Sequence, residues 1–266
     1  MPYADAGDVQ IYYESHGEGP ALFLLHGGGG NTLVWFNQVP VLSRHYRVIT
    51  MDFRGFKASL CPPDRMGRQH YANDIQAVMA ATGIDKAGFI GQSLGGMAAT
   101  HMAVRHPDRV SALVNAHSPT PIDTPENRTA LKRAADIFSS GKFGSAGSPI
   151  GWNREFVSNN PRLHFLYEQI KSLNPPGFAP PPAPSKDLMI NPAELTGFTI
   201  PTLIIGGASD DLLTPNNHHH VASLIPGAKL HTMLHAGHNS YFESPEEYNH
   251  VVLEFLANSL PKPKTP

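Results

Sequence analysis

Short apolar runs alternate along the chain with longer segments in which apolar residues recur at helical spacing. The short runs predict strands, and the nearly continuous apolar run at 21–25 is typical of a strand buried on both faces. The longer segments predict helices, and the one at 69–82 stops at Gly83, a residue that suits the left-handed position after a helix. The predicted strands cover residues 10–14, 21–25, 47–51, 87–91, 110–115, 202–205 and 229–234. The predicted helices cover 69–82, 94–105, a segment after Pro215 and about 245–260.

This order of strands and helices predicts the fold class, an α/β protein with a mostly parallel central sheet flanked by helices. From 119 to 196 the alternation stops, and this segment holds 12 of the 25 prolines, with short helical pieces at 130–139 and 163–172. A proline-rich linker between two domains is one interpretation, but only two predicted strands follow, too few for a second core. We therefore expect a core formed by 1–118 and 197–266, interrupted by a mainly helical cap or lid at 119–196.

One motif places a serine where a nucleophile could act. The run Gly91-Gln92-Ser93-Leu94-Gly95 matches G-x-S-x-G and falls between a predicted strand and a predicted helix. Glycines two positions either side permit a tight, strained turn that lifts the serine hydroxyl above the sheet. The free N–H groups of the helix N-terminus favour negative charge there. A serine N-cap flanked by packing glycines is the alternative interpretation.

A serine hydroxyl needs a base, and the chain holds 15 histidines. His238 follows the last predicted strand and precedes the last predicted helix, which places it at the same carboxyl edge of the sheet as Ser93. The consecutive histidines 218–220 could suggest a metal site. Because consecutive helical positions point to different faces, we interpret them as mostly exposed and expect no metal site.

Two carboxylates, Asp210 and Asp211, follow the predicted strand at 202–205 and so reach the same edge. Either one could fix the tautomer of a catalytic histidine and stabilise its imidazolium form. The other would then close an Asx turn or cap a helix. The residues alone leave that choice open.

The run His26-Gly27-Gly28-Gly29-Gly30 follows the predicted strand at 21–25 directly. Glycines let the backbone approach a ligand closely and direct N–H groups at it, which suits the stabilisation of an oxyanion. A phosphate-binding loop is the competing interpretation. Against it, the run lacks the Gly-Lys-Ser/Thr ending of a P-loop and the G-x-G-x-x-G spacing before a helix.

Composition excludes several other classes of protein. The net charge is −2 and no basic block occurs, so nucleic-acid binding is not expected. The single cysteine, Cys61, cannot form an intrachain disulfide or a cysteine-based zinc cluster. With no signal-peptide pattern and no apolar run of about 18 residues, we expect a soluble, cytoplasmic protein without a membrane partner. No heptad or apolar stripe indicates an oligomeric state.

Together these motifs resemble those of the α/β-hydrolase fold superfamily, in particular its serine-nucleophile esterase- and lactonase-like members with a cap domain. The resemblance covers nearly the whole chain, and its motifs stand in the family's order. They are His26-Gly27-Gly28, Asp52-Phe53-Arg54-Gly55, the serine motif at Ser93, an acid and then His238.

The resemblance implies a nucleophile, acid and base at Ser93, Asp211 and His238. Family members commonly carry the acid four residues before a proline, here Pro215, which favours Asp211 over Asp210. It also implies an oxyanion hole made by the backbone N–H groups of two residues, Gly28 and Leu94, and a cap at 119–196.

The sequence departs from the family pattern at two positions. Lys57 stands where the motif Asp-x-Arg-Gly-x-Gly-x-Ser often has its second glycine. Ala208 stands where glycine is usual before the acid, which keeps Asp210 open as the alternative to Asp211.

The serine at this turn excludes relatives that use an aspartate there, such as haloalkane dehalogenases and epoxide hydrolases. We expect two-step acyl transfer on a small, largely apolar carboxylic ester or lactone, without a metal or organic cofactor. The expected pocket residues are His26, Gly27, Trp35, Phe36 and Met97. Core packing is the alternative for the last three. C–C bond hydrolysis or another non-ester reaction, and a hydrolase-like receptor with little turnover, stay open as alternative functions.

Overall fold

The computed structural model of the chain describes residues 2–140, 150–175 and 186–260. Its eight strands form one sheet in the order β1-β2-β4-β3-β5-β6-β7-β8. The strands are β1 Tyr3–Asp5, β2 Gln10–His16, β3 Ala21–Leu25, β4 Arg47–Met51, β5 Ala87–Gln92, β6 Val110–Ala116, β7 Thr202–Gly207 and β8 Lys229–Met233. The pairs β1–β2 and β2–β4 are antiparallel, and every other pair is parallel. The predicted α/β fold with a mostly parallel sheet is confirmed.

Helices of the described residues connect the strands. They are α1 Val39–Leu42, α2 Tyr71–Ala81, α3 Leu94–Arg105, α4 Pro125–Ser139, α5 Arg154–Asn159, α6 Pro161–Ser172, α7 Pro215–Leu224, α8 Ser240–Glu243 and α9 Pro245–Ser259. Proline in the first turn of α4, α6, α7 and α9 is compatible with helix initiation, since the first turn needs no N–H donor. None of the described helices is long and apolar enough to cross a membrane.

Strand β3 shows why the sheet needs a cover on both faces. Leu22 and Leu24 are fully buried in one apolar cluster, which includes residues of α9. Phe23 and Leu25 point to the other face and are fully buried in a second cluster, which includes residues of α2 and α3. Because successive side chains of a strand alternate between faces, an apolar residue at every position requires two apolar layers.

The segment between β6 and β7 contains α4, α5 and α6, and its described residues add no strand to the central sheet. Thr124 caps α4 by accepting a hydrogen bond from the N–H of Asn127. The segment lies against loops of the carboxyl edge, since the Asn31 amide donates to the carbonyl of Ile170 at 2.8 Å. Two short predicted pieces begin earlier than expected, at the helix starts Pro125 and Pro161. The prolines at 180–182 lie outside the described residues.

Candidate active site

Ser93 occupies a strained backbone conformation between β5 and α3, with φ +50° and ψ −109°. Residues with a side chain rarely adopt positive φ, and such conformations persist where the surrounding structure imposes them. Here the Ser93 N–H donates to the carbonyl of Ala116 at 2.8 Å, and the Ser93 carbonyl accepts from the N–H of Met97 at 3.1 Å. The turn is therefore tied to β6 on one side and to the first turn of α3 on the other.

Two flanking glycines are required by close backbone approach. A Cβ at Gly91 would overlap the backbone of Gly95, and a Cβ at Gly95 would overlap the carbonyls of Leu25 and His26. The end of β3, the end of β5 and the start of α3 thus meet where only glycine fits. This contact explains in physical terms why the serine motif carries glycine at both positions.

The carboxylate that contacts His238 is that of Asp210. His238 Nδ1 donates to Asp210 Oδ2 at 2.9 Å, and both side chains are almost fully buried. The other oxygen, Oδ1, accepts the N–H groups of Leu212 and Leu213 at 3.0 and 2.9 Å. Burial alone would raise the pKa of Asp210, but its electrostatic interaction with His238 and its contacts with the three histidines His117, His218 and His238 hold it well below its usual value. Asp210 is therefore ionised and accepts hydrogen bonds on both oxygens.

The choice of Asp211 as the acid beside His238 is wrong in this geometry. Its carboxylate accepts the N–H of Gly151 at 2.7 Å, while its carbonyl accepts a hydrogen bond from Arg133. Asp210 combines both roles that the sequence divided between the two residues, since one oxygen closes the loop and the other holds the histidine. The turn built on Asp210 places the acid five residues before Pro215 rather than four.

Gln92 connects the serine turn to the histidine loop. Its Nε2 donates to the carbonyl of His238 at 3.0 Å, and its Oε1 fills the space that a Cβ at Gly27 would occupy. Gly27 therefore lies against Gln92 and Ser93. Gln92 occupies a position that the serine motif leaves unspecified, so no sequence pattern indicated it.

A cavity opens beside Ser93. Three of the expected residues line it, Gly28, Leu94 and Met97. Helix α4 contributes Leu131 and Phe138 to the lining, so part of the segment between β6 and β7 borders the cavity that contains Ser93.

Three other expected pocket residues serve different purposes. Trp35 is fully buried against Tyr241, with ring centroids 4.8 Å apart, and Phe36 packs on Phe242. Neither is among the residues that line the cavity beside Ser93. His26 is fully buried, donating from Nδ1 to the Gly27 carbonyl at 2.8 Å and accepting the Phe53 N–H on Nε2 at 3.1 Å. Their packing is the core-type contact that was the alternative interpretation for Trp35 and Phe36, and a role in substrate binding stays a prediction.

Comparisons with known proteins agree with this architecture. A family model described as alpha/beta hydrolase fold matches residues 20–139. The structure of Est816, an N-acyl homoserine lactone degrading enzyme, is similar with a TM-score of 0.78 and 28% identity, over 96% of this chain and all of that one. This chain has the α/β-hydrolase fold.

Two further matches to this chain are enzymes named for different substrates. The enol-lactonase of Burkholderia xenovorans LB400 has a TM-score of 0.77 and 24% identity, covering 96% of this chain and 100% of that chain. The 2-hydroxy-6-oxo-6-phenylhexa-2,4-dienoate hydrolase of Comamonas testosteroni is 25% identical over 278 residues, covering 95% of this chain and 93% of the relative. The relatives support a hydrolase, but they differ in the bond that is cleaved.

Arg68, which no sequence pattern indicated, lines the same cavity as Ser93. Its Nη1 lies 3.1 Å from the sulfur of Met97. Burial lowers the pKa of the guanidinium, yet arginine starts so high that it stays charged at neutral pH. A positive charge therefore borders a cavity that was expected to be apolar.

The histidines 218–220 are divided among different environments. His219 is exposed, His220 contacts Thr124 at 2.9 Å, and His218 is buried with Nε2 3.4 Å from Asp210 Oδ2. The expectation of a mostly exposed run is therefore wrong for His218. The atoms of His117, Asp210 and His238 that could ligate a metal ion are buried and lie within 4.8 Å of one another. In this structure, however, Nδ1 of His117 and Nδ1 of His238 both hydrogen-bond to Asp210.

Proposed function

We propose that this hydrolase cleaves a small carboxylic ester or lactone through an acyl-enzyme on Ser93, with His238 as base and Asp210 as the orienting acid. The observation that carries the proposal is the buried His238–Asp210 hydrogen bond at the edge of the sheet where the strained Ser93 turn opens into a cavity. A carboxylate bound to Nδ1–H fixes the tautomer in which Nε2 is free to accept a proton.

In the first step the Ser93 oxygen attacks the acyl carbon while its proton moves to Nε2 of His238. The carbonyl oxygen becomes an oxyanion, the alcohol leaves with the proton from His238, and an ester to Ser93 is left behind. In the second step His238 takes a proton from water, the hydroxide attacks the ester, and the acid is released as the proton returns to Ser93. Asp210 stabilises the imidazolium throughout and stays ionised.

The backbone N–H groups of Gly28 and Leu94 are proposed to hold the oxyanion. Both residues line the cavity that contains Ser93. The N–H of Leu94 is the first of α3, and helix geometry provides it no acceptor within the helix. Its direction along the helix dipole adds a favourable field for negative charge.

The walls of the cavity support an acyl or lactone substrate with a mainly apolar body, since Met97, Leu131 and Phe138 contribute to them. The match to a lactone-degrading enzyme supports the same class. A second candidate is the hydrolysis of a C–C bond in a ketone that bears a carboxylate. Arg68 in the cavity wall favours it, together with the relative named for a dienoate substrate.

The experiment is to measure the hydrolysis of p-nitrophenyl acetate and butyrate, a lactone panel and a 2-hydroxy-6-oxodienoate by the wild-type chain and by Ser93→Ala. We expect Ser93→Ala to reduce kcat by about 10⁴-fold or more on the preferred substrate, with the fold intact by circular dichroism. The substrate with the largest kcat/KM decides between the two candidates. Equal rates in the wild type and in a folded Ser93→Ala variant would contradict both.

A further inference from the structure

The carboxylate of Asp210 binds two imidazoles. Oδ2 accepts from Nδ1 of His238 at 2.9 Å and from Nδ1 of His117 at 3.0 Å. The second nitrogen of His117, Nε2, lies 2.7 Å from Oγ of Ser240. The hydrogen-bonded series Ser240–His117–Asp210 therefore has the same order of serine, histidine and acid as the proposed Ser93–His238–Asp210 site, and it shares the same carboxylate.

The positions of the protons in this series follow from the acceptor at its end, Asp210. Asp210 is ionised and can only accept, so both Nδ1 atoms carry a hydrogen. Nε2 of neutral His117 then accepts a hydrogen bond from the hydroxyl group of Ser240. Burial lowers the pKa of His117 to about 4, outweighing the opposite effect of Asp210, so the ring is neutral at physiological pH. His117 is a permanent hydrogen-bond donor to the carboxylate.

The series Ser240–His117–Asp210 does not open into the cavity at Ser93 in the described part of the structure. Ser240 and His117 are fully buried, and neither is among the residues that line the cavity at Ser93. Substrate therefore reaches Ser93 and not Ser240. What these hydrogen bonds share with the Ser93 site is the carboxylate of Asp210.

The backbone at His117 is strained, with φ +50° immediately after β6. Its N–H donates to the carbonyl of Ile205 at 2.8 Å, which holds it at the carboxyl edge of the sheet. The ring also makes edge-on contacts with the rings of His218 and His238, with centroids 5.5 and 5.6 Å apart. Strain of this kind persists where the surrounding structure imposes it.

We propose that His117 is a positioning residue that shares the carboxylate of Asp210 with His238 and thereby lowers the basicity of His238. A hydrogen bond from His117 neutralises part of the charge on Oδ2, and a carboxylate with less free charge stabilises the imidazolium of His238 less. The ionisable groups around this pair are Asp210 itself, the buried His218 and the carboxylate of Glu243, which interacts electrostatically with Asp210. His238 would then stay neutral, and able to act as a base, at a lower pH than with an unshared acid.

The test is the titration of His238 by NMR on the full chain labelled with ¹⁵N-histidine, which needs no substrate. His117→Ala and His117→Phe remove the donor, and Phe keeps a buried ring in place. His117→Asn is the matched control, because an asparagine amide can replace the Nδ1–H donor and asparagine tolerates positive φ. We expect the pKa of His238 to rise by about one unit in the Ala and Phe variants and by less than half as much in the Asn variant.

A folded His117→Ala or His117→Phe variant whose His238 titrates as in the wild type would show a purely structural role and overturn the proposal. The same would follow if the Asn variant shifted as far as the other two. The effect on turnover rests on the proposed function, since the acid limb of the kcat/KM profile should move with the titration. If the pKa of His238 shifts as expected but no substrate of the panel is hydrolysed, the proposed function is contradicted and the proposal for His117 is supported.

Discussion

Two buried carboxylates bind His238 or the residues next to it, and their environments differ in kind. Asp210, in the loop after β7, faces the rings of His117, His218 and His238. Glu243, at the end of α8, faces only peptide groups among its hydrogen-bond partners. It accepts the N–H of Asn153 at 2.8 Å and the N–H groups of Gly237 and Asn239 at 3.0 Å.

The difference in partners gives the two acids opposite pKa shifts. Burial raises the pKa of both, but the histidines more than offset it at Asp210 and hold its pKa well below the usual value. At Glu243 burial prevails over the three peptide donors and raises the pKa to about 7. An imidazole can become a cation and a peptide N–H cannot, so only Asp210 is prepared for a positive charge that forms during a reaction.

Both acids nevertheless place the same histidine. Asp210 holds the His238 ring, whereas Glu243 binds the backbone N–H groups of the residues on either side, Gly237 and Asn239. Asp210 is therefore the electrostatic partner of the His238 ring, and Glu243 supports the loop that carries it. Removing each acid should then affect different observables.

The largest effect is expected from Asp210→Asn. The amide cannot stabilise an imidazolium and favours the wrong tautomer of His238, so kcat should fall by about 10³–10⁴-fold. Steady-state kinetics on the best substrate of the panel measures it. The matched control is Asp211→Asn one position along, where the carboxylate contacts only the N–H of Gly151 among the described residues. That variant should stay within about tenfold of wild type, and a larger loss from Asp211→Asn than from Asp210→Asn would invert the assignment.

The two neighbouring aspartates also show what the sequence could and could not predict. Strand β3 was predicted to the residue because an unbroken apolar run between polar segments has one interpretation in an α/β pattern. The turn at Ser93 was predictable because close backbone approach allows only glycine at Gly91 and Gly95. The choice between Asp210 and Asp211 depends on how the loop turns, and both residues carry the same side chain.

Other site residues carry no local pattern at all. Gln92 and Arg68 act through contacts with segments distant in sequence, and Trp35 is apolar in a way that suits a pocket or a core equally. His117 could have been found, because it follows β6 directly and so reaches the same carboxyl edge as His238. Both histidines follow strands of the parallel part of the sheet and lie at its carboxyl edge for that reason.

Arg68 is a third ionisable group at the site; it is half-buried and borders the cavity that contains Ser93. A guanidinium at that position should bind a substrate carboxylate with charge-assisted hydrogen bonds. Arg68→Met should lower kcat/KM by about 10–100-fold for substrates that bear a carboxylate, because one such bond contributes roughly 1.5–3 kcal/mol. Neutral esters of the same length should change by less than threefold.

The measurement is the ratio of kcat/KM for a monoacid ester and its neutral methyl analogue, in wild type, Arg68→Met and Arg68→Lys. The lysine variant keeps the charge and loses the fork of donors, so its ratio should fall between the other two. An unchanged ratio in Arg68→Met would mean that the cation supports the fold only. The C–C hydrolysis candidate would then lose the observation that favours it.

The smallest effect is expected from Glu243→Gln, on the pH dependence of the free energy of unfolding. Because its folded pKa of about 7 lies above its ordinary value of 4.5, the native state binds an extra proton between these pH values. Its contribution to stability is therefore complete below about pH 4.5 and is lost as the pH rises through about 7. Neutral Glu243→Gln removes this dependence, while the opposite contribution of His117, which favours high pH over part of the same range, stays in both proteins.

Urea denaturation at pH 5 and pH 8 measures the difference. Relative to Glu243→Gln, the wild type should lose about 2–3 kcal/mol of unfolding free energy between the two pH values. The exposed Glu246, in the first turn of α9, provides the control, since Glu246→Gln should follow the wild type at both pH values. Equal pH dependence in wild type and Glu243→Gln would mean that the three peptide donors fully offset the effect of burial on the Glu243 carboxylate. The contrast between the two acids would then lie in their positions and not in their charge.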